Sequence, residues 1–230
     1  MADPRARVLV AGATGLIGRA LLNRLAADAR VGPVTALVRR ISAGQAWPTG
    51  CQPLVVDYTT LGTASADGLP VADWAFCCLG TTIKVAGSQE AFRAVDFDAV
   101  LAFARAARAA GATRLGLVSA MGASERSSVF YNRVKGEVER AVSAQGWPHL
   151  VIARPSLLLG ERSSLGQPGR PGEQLAQCLM PALGWLIPKS LRPITAEAVA
   201  AALLHAVADG ARPGTTVLES GALADLAAQA

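Results

Sequence analysis

Tyr131-Asn132-Arg133-Val134-Lys135 places a phenol and an ammonium four residues apart in a stretch whose apolar spacing predicts a helix from Phe130 to Ala144. Four residues is about one helical turn, so the two groups share a face. A phenol alone keeps its proton to about pH 10, and a neighbouring ammonium favours the phenolate. Such a pair is suited to moving a proton near neutral pH. Accident produces it seldom, because the chain has only two tyrosines and three lysines, Lys84, Lys135 and Lys189. Ser119 lies twelve residues ahead of Tyr131, closing a strand-like run from Arg114 to Val118. By itself a serine there reads as a turn or cap residue; with Tyr131 and Lys135 in place it becomes a third candidate for the same site.

A second group of residues has binding chemistry. Gly12-Ala13-Thr14-Gly15-Leu16-Ile17-Gly18 falls where the apolar run Arg7 to Gly12 gives way to helical spacing. The first glycine permits a tight turn, the second lets the backbone approach a pyrophosphate, and the third lets helix and strand pack closely. The helix amino end adds free N–H groups and partial positive charge. Gly12, Thr14, Gly15, Leu16, Ile17 and Gly18 are therefore expected to hold a dinucleotide. Proteins that take NAD place an acidic residue after the second strand to receive the adenosine ribose; here that place holds Arg39 and Arg40. Guanidinium groups bind a 2′-phosphate in bidentate fashion, so NADP(H) is the expected cofactor. Asp57, read as the close of the third strand, either accepts from the adenine amino group or caps the following turn.

These residues need elements to position them. Strand-like runs cover Arg7 to Gly12, Val34 to Val38, Leu54 to Asp57, Trp74 to Leu79, Arg114 to Val118 and Leu150 to Ala153. Helical spacing covers Leu16 to Ala29, Ser88 to Ala110 and Phe130 to Ala144. Alternating strands and helices predict an α/β doubly wound parallel sheet of Rossmann type. Right-handed crossovers bring the carboxyl ends of all its strands to one edge, where ligands collect. No internal repeat or linker interrupts this order, so one domain is expected over residues 1–230. Residues 155–230 should contribute a small substrate-binding lobe. Within it, Gly160 to Gly172 reads as a long loop, either a lid or disordered, Glu173 to Leu183 and Ala196 to Ala208 as helices, and Thr216 to Leu218 as a last strand. The lobe is expected to cap the cofactor edge. Met180, Trp185, Leu186 and Ile187 there would line an apolar substrate pocket or pack the segment. Arg154 would meet a substrate anion, touch a phosphate or form a structural ion pair.

Composition narrows the partners. The net charge is +5, yet the arginines form no block and aromatic residues are only 5%, which argues against nucleic acid. The most apolar stretch, Ala198 to Val207, is too short to span a bilayer, and the first residues lack an apolar signal core. A cytoplasmic protein with no membrane partner is expected. Cys51, Cys77, Cys78 and Cys178 have neither CxxC spacing nor histidine partners and read as small buried hydrophobes, with Cys77 and Cys78 on opposite faces of a strand. His149 and His205 read as packed or solvated, with no metal.

Taken together, the chain resembles the atypical, extended branch of the short-chain dehydrogenase/reductase superfamily. More narrowly, Phe76-Cys-Cys-Leu-Gly-Thr-Thr82, Val118-Ser-Ala-Met-Gly-Ala123, Tyr131 to Glu137 and Arg154-Pro155 resemble its Tat-interacting-protein branch. The likeness covers residues 7 to about 160 and thins toward 207. It implies a Ser119–Tyr131–Lys135 mechanism for carbonyl reduction or alcohol oxidation with NADP(H). Tyr131 would exchange a proton with the substrate oxygen, Lys135 would favour the phenolate and hold the nicotinamide ribose, and Ser119 would orient the reacting oxygen. Gly80, Thr81, Thr82 and Pro155 would lie beside the cofactor. One departure stands out: typical members carry an asparagine on the fourth helix, and the nearest counterpart here is Asp96. The resemblance also admits a non-catalytic NADP(H) sensor that meets a protein partner, and an epimerase or dehydratase acting on a nucleotide-linked sugar. Either a monomer or a homodimer paired through the long helices fits this reading.

Overall fold

The computed structural model describes residues 5–62, 68–159, 191–209 and 213–229. Seven parallel strands form the main sheet: β1 (Ala6–Ala11), β2 (Val31–Val38), β3 (Cys51–Val55), β4 (Trp74–Cys77), β5 (Arg114–Val118), β6 (His149–Arg154) and β9 (Gly214–Glu219). Their order is β3-β2-β1-β4-β5-β6-β9, so the winding reverses between β1 and β4. A small parallel pair, β7 (Leu158–Leu159) with β8 (Ile194–Thr195), stands apart. Among the described residues the helices are α1 (Leu16–Ala27), α2 (Ile83–Ala86), α3 (Gln89–Arg93), α4 (Ala99–Ala109), α5 (Phe130–Ser143), α6 (Ala196–Asp209) and α7 (Ser220–Ala227).

Two cores lie on the two faces of the sheet. Along β1, Val8 and Val10 point to one face and Leu9 and Ala11 to the other, the alternation that a pleated strand imposes. The first core joins Val8, Val10 and Phe76 to Ile17, Leu21 and Leu25 of α1 and to Val199, Leu203 and Val207 of α6. The second joins Leu9, Leu115, Leu117 and Ile152 to Val100 and Phe103 of α4 and to Val138 and Val142 of α5. Each fully buried leucine or phenylalanine contributes about 1.5–3 kcal/mol relative to exposure. Much of the alanine is explained here: Ala102, Ala104, Ala106 and Ala107 are buried along α4, where small side chains let helix and sheet approach. Cys77 belongs to the second core and Cys78 packs on the first, on opposite sides of the β4 end. Burial pushes the Cys77 thiol up to about 12 and raises that of Cys78 as well.

Several expectations are corrected. The third strand spans Cys51–Val55, not Leu54 to Asp57; its Pro53 is tolerated because β3 is an edge strand. The second strand begins at Val31 and includes Gly32 and Pro33, β4 stops at Cys77 rather than Leu79, and β6 extends to His149 and Arg154. The helix expected from Ser88 to Ala110 is present without a break, capped by Ser88 Oγ, but a π-helical turn at Ala94–Asp98 joins its α3 and α4 parts. The described part of the terminal segment is built into the main fold, since α6 packs beside α1 and β9 extends the sheet. The lid, the Glu173 to Leu183 helix, Met180 and Trp185 to Ile187 lie outside the described residues. Among the described residues no helix is long and apolar enough to cross a membrane.

Candidate active site at the carboxyl edge of the sheet

The glycine turn follows β1 at the point where the winding reverses. Gly12 has φ +77°, a left-handed value, and a Cβ there would overlap the Cys78 carbonyl at the end of β4. A Cβ on Gly18 would overlap the Gly12 carbonyl, so the start of α1 lies directly on the turn. Gly15 differs, because a Cβ there meets only the Gly12 carbonyl oxygen, at 3.4 Å. That open side faces out beside the first turn of α1, which takes no capping side chain. The first and third glycines thus serve packing and the second leaves room for an anion at the helix amino end. The geometry fits a dinucleotide pyrophosphate.

Leu37 of β2 pairs with Ala11 of β1, so Arg39 and Arg40 emerge next to this turn. Both are exposed. Neither makes a hydrogen bond or ion pair among the described residues, which leaves their guanidinium groups available to a phosphate. Asp57 lies two residues beyond the end of β3, and its Oδ1 accepts from the Thr59 amide at 2.9 Å and the Thr59 hydroxyl at 2.7 Å. Those bonds hold its carboxyl below the usual range. It caps a turn, one of the two roles expected of it.

Tyr131, Lys135 and Glu139 stand at successive i+4 positions along one face of α5. Tyr131 is half-buried, its ring 5.5 Å from that of Phe92. Lys135 is 4% exposed and its Nζ lies 2.8 Å from Oδ1 of the fully buried Asp96, an ion contact off the hydrogen-bonding angle. Burial pulls the Lys135 ammonium down, but Asp96 first, then Tyr131 and Cys77, outweigh it and the net shift is upward. Asp96 Oδ2 accepts from the Thr81 amide at 2.8 Å. The π-helical turn that holds Asp96 directs the carboxylate to this point, and π turns recur at functional sites. A Cβ on Gly80 would stand 3.5 Å from Asp96 Oδ1 and 3.7 Å from Lys135 Nζ, so the pair lies just under the backbone that follows β4. Thr82 Oγ1 caps α2 by accepting from Val85 N–H at 3.2 Å.

Ser119 follows β5 directly and is buried. Its hydroxyl donates to Glu139 Oε1 at 2.5 Å. Arg154, at the end of β6, donates to the same oxygen at 3.0 Å and to Oε2 at 2.6 Å, and reaches Glu219 at the end of β9 at 3.0 Å. Of the three roles open to Arg154, the structural ion pair is the one present. Pro155 is buried, and its carbonyl accepts from Met121 N–H at 3.0 Å, tying the loop after β5 to β6. Glu139 escaped the sequence reading, although its spacing from Tyr131 and Lys135 was a signal. In the sequence Asp96 stands out only as the counterpart of a missing asparagine.

A parallel sheet reversing at a glycine turn, beside a helix face carrying tyrosine and lysine, defines a dinucleotide-binding α/β protein of the short-chain dehydrogenase/reductase fold. Residues 12–180 match the NAD(P)H-binding family. The protein fmp52, mitochondrial, of Emericella nidulans is 35% identical over 182 residues, which are 78% of this chain and 76% of that one. HTATIP2 of Rattus norvegicus is 37% identical over 171 residues, covering 74% and 68%. The chain therefore belongs to the NAD(P)H-binding family, in the branch that includes HTATIP2 and fmp52. A short-chain dehydrogenase/reductase from Burkholderia thailandensis superposes with a TM-score of 0.70 at 21% identity, covering 97% of this chain and 94% of that one, which shows the shared fold. The expectation of a cytoplasmic protein is overturned: the Emericella relative and its fungal counterparts carry mitochondrial names.

Proposed function

We propose that this chain is an NADPH-dependent oxidoreductase that interconverts a small carbonyl compound and its alcohol. The observation that carries the reading is the α5 face, where Tyr131 stands one turn from an ammonium buried under Gly80 at the ligand edge. Gly12, Thr14, Gly15, Leu16, Ile17 and Gly18 would hold the pyrophosphate and Arg39 and Arg40 the 2′-phosphate. Gly80, Thr81, Thr82 and Pro155 would flank the cofactor, and Asp57 would border the adenine side. When bound, NADPH supplies a hydride.

The chain's own part is proton handling and orientation. Tyr131 Oη gives its proton to the substrate oxygen as the carbonyl is reduced, or takes one in the reverse direction. The Lys135 ammonium stabilises the resulting phenolate, and Asp96 keeps that ammonium charged although it is buried. Ser119 borders the reacting oxygen. The test is NADPH oxidation across a panel of aldehydes and ketones. Tyr131→Phe should lower kcat about 10²- to 10⁴-fold while NADPH affinity is kept. No turnover by the unaltered protein with any panel member would reject the reading.

One observation favours a second reading, a non-catalytic NADP(H) sensor. Lys135 and Ser119 are both already engaged by buried carboxylates, Lys135 in an ion pair with Asp96 and Ser119 in a hydrogen bond to Glu139. This reading predicts tight NADPH binding with no oxidation of the cofactor by any carbonyl.

A further inference from the structure

A Cβ on Gly12 would overlap the Cys78 carbonyl, so the glycine turn touches the chain just as it leaves β4. Arg39 and Arg40 lie on the β2 side of that turn, and Gly80 lies on the β4 side. A dinucleotide with its pyrophosphate on the turn and its phosphorylated adenosine at the arginines therefore leads its nicotinamide half toward Gly80. Leaving aside the adjoining chain, Asp96 Oδ1 and Lys135 Nζ are the only atoms of the described residues within 4 Å of where a Gly80 Cβ would stand, at 3.5 and 3.7 Å. The space beside this glycine is thus open, and one negative and one positive charge border it.

Nicotinamide changes charge with redox state: the oxidised ring carries one positive charge and the reduced ring none. A lone ammonium beside it repels the oxidised form only. A carboxylate 2.8 Å from that ammonium cancels most of the repulsion. An amide in the same place could still meet Lys135 and would cancel nothing. Of the other titratable neighbours, the Cys77 thiol is pushed up to about 12 by burial and stays neutral. Glu139, one turn further along α5, is paired with Arg154. Tyr131, one turn back, is the remaining one.

We infer that Asp96 is a positioning residue that acts through Lys135 on the redox state of the bound cofactor: it offsets the ammonium beside Gly80 and so keeps NADP⁺ from being disfavoured against NADPH. The inference rests on the proposed cofactor site and deepens it, since a site balanced in this way holds the cofactor on either side of hydride transfer. The alternative is that the pair merely ties α5 to the π turn and the β4 end.

Titration calorimetry of the full chain with NADP⁺ and with NADPH, without substrate, gives the ratio Kd(NADP⁺)/Kd(NADPH). Every variant carries Tyr131→Phe, so the phenol adds no charge, and the 2′-phosphate cancels because both forms bear it. At about pH 6 an unpaired buried ammonium keeps its proton, and Asp96→Asn should raise the ratio at least about fivefold. Adding Lys135→Met should return it to within about twofold of the Tyr131→Phe value. An unchanged ratio in Asp96→Asn, equal weakening of both forms included, overturns the inference. So does a raised ratio that survives Lys135→Met. If Asp96→Asn does not fold, Lys135→Met alone decides at about pH 8, where the carboxylate stands without its partner. The ratio should then fall at least about threefold, and a level ratio overturns the inference. Cofactor binding without turnover of any carbonyl rejects the oxidoreductase reading and leaves this ratio to decide. A native protein that binds neither form rejects the cofactor site itself, and this inference with it.

Discussion

Lys135 Nζ lies 2.8 Å from Asp96 Oδ1, and both side chains are sealed from solvent. Asp96 reaches this position from a π-helical turn, where an ordinary helix would have turned the side chain elsewhere. Asp96→Asn leaves a buried ammonium unpaired, which costs about 3–5 kcal/mol. The sign of its pH dependence follows from the upward shift of Lys135. In the native protein the pair's contribution is complete below the unfolded lysine value of about 10.4 and is lost as pH rises through the higher folded value. In Asp96→Asn the folded value drops below the unfolded one, so the penalty is largest near neutrality and shrinks as pH climbs toward 10. Denaturant unfolding at pH 7 and pH 10 checks this. Adding Lys135→Met to Asp96→Asn should recover much of the loss.

The glycine turn gives two contrasting variants. Gly18→Ala puts a methyl against the Gly12 carbonyl, and a well-packed site of this kind loses about 1–3 kcal/mol on overpacking. Gly15→Ala makes only an ordinary contact, with the Gly12 carbonyl oxygen at 3.4 Å, at an unstrained backbone angle, φ −78°, and should lower the melting temperature far less than Gly18→Ala. Its methyl occupies the volume proposed for the pyrophosphate, so NADPH affinity should fall by about tenfold or more. Thermal unfolding and cofactor titration of both variants separate the effects.

Arg39 and Arg40 carry the cofactor preference in this account. Loss of a charge-assisted hydrogen bond costs about 1.5–3 kcal/mol, so Arg39→Ala with Arg40→Ala should weaken NADPH binding by about tenfold to several hundredfold. NADH binding should be nearly unchanged. Fluorescence titration with both cofactors checks the contrast.

Arg30 joins the end of α1 to the end of α6 by bonding Asp28 at 2.7 Å and Asp209 at 2.6 Å. The Arg30 bond holds the Asp28 carboxyl below its usual range. A lowered folded value contributes stability above the unfolded value of about 3.9 and loses it as pH falls further. Asp28→Asn should therefore be less stable than the native protein at pH 6, with the gap closing toward pH 3. Unfolding curves at both values measure it.

Much of the frame was legible because buried parallel strands are continuous apolar runs. Arg114 to Val118 matches its strand at both ends, and the glycine turn falls at the winding reversal. Breaks in regularity were harder. Apolar spacing from Ser88 to Ala110 persists through the π turn, and only the buried charge of Asp96 marks it. Pro53 obscured β3 because a proline is excluded from inner strands but not from an edge. The Tyr131 and Lys135 face followed from spacing alone, whereas the partners Asp96 and Glu139 depend on contacts between elements far apart in the chain.

Calorimetric titration of the purified protein with NADPH and with NADH tests most directly whether the glycine turn and the two arginines hold the phosphorylated cofactor. The account predicts heat with both and affinity for NADPH at least about tenfold higher. Equal affinities, or tighter binding of NADH, would contradict it.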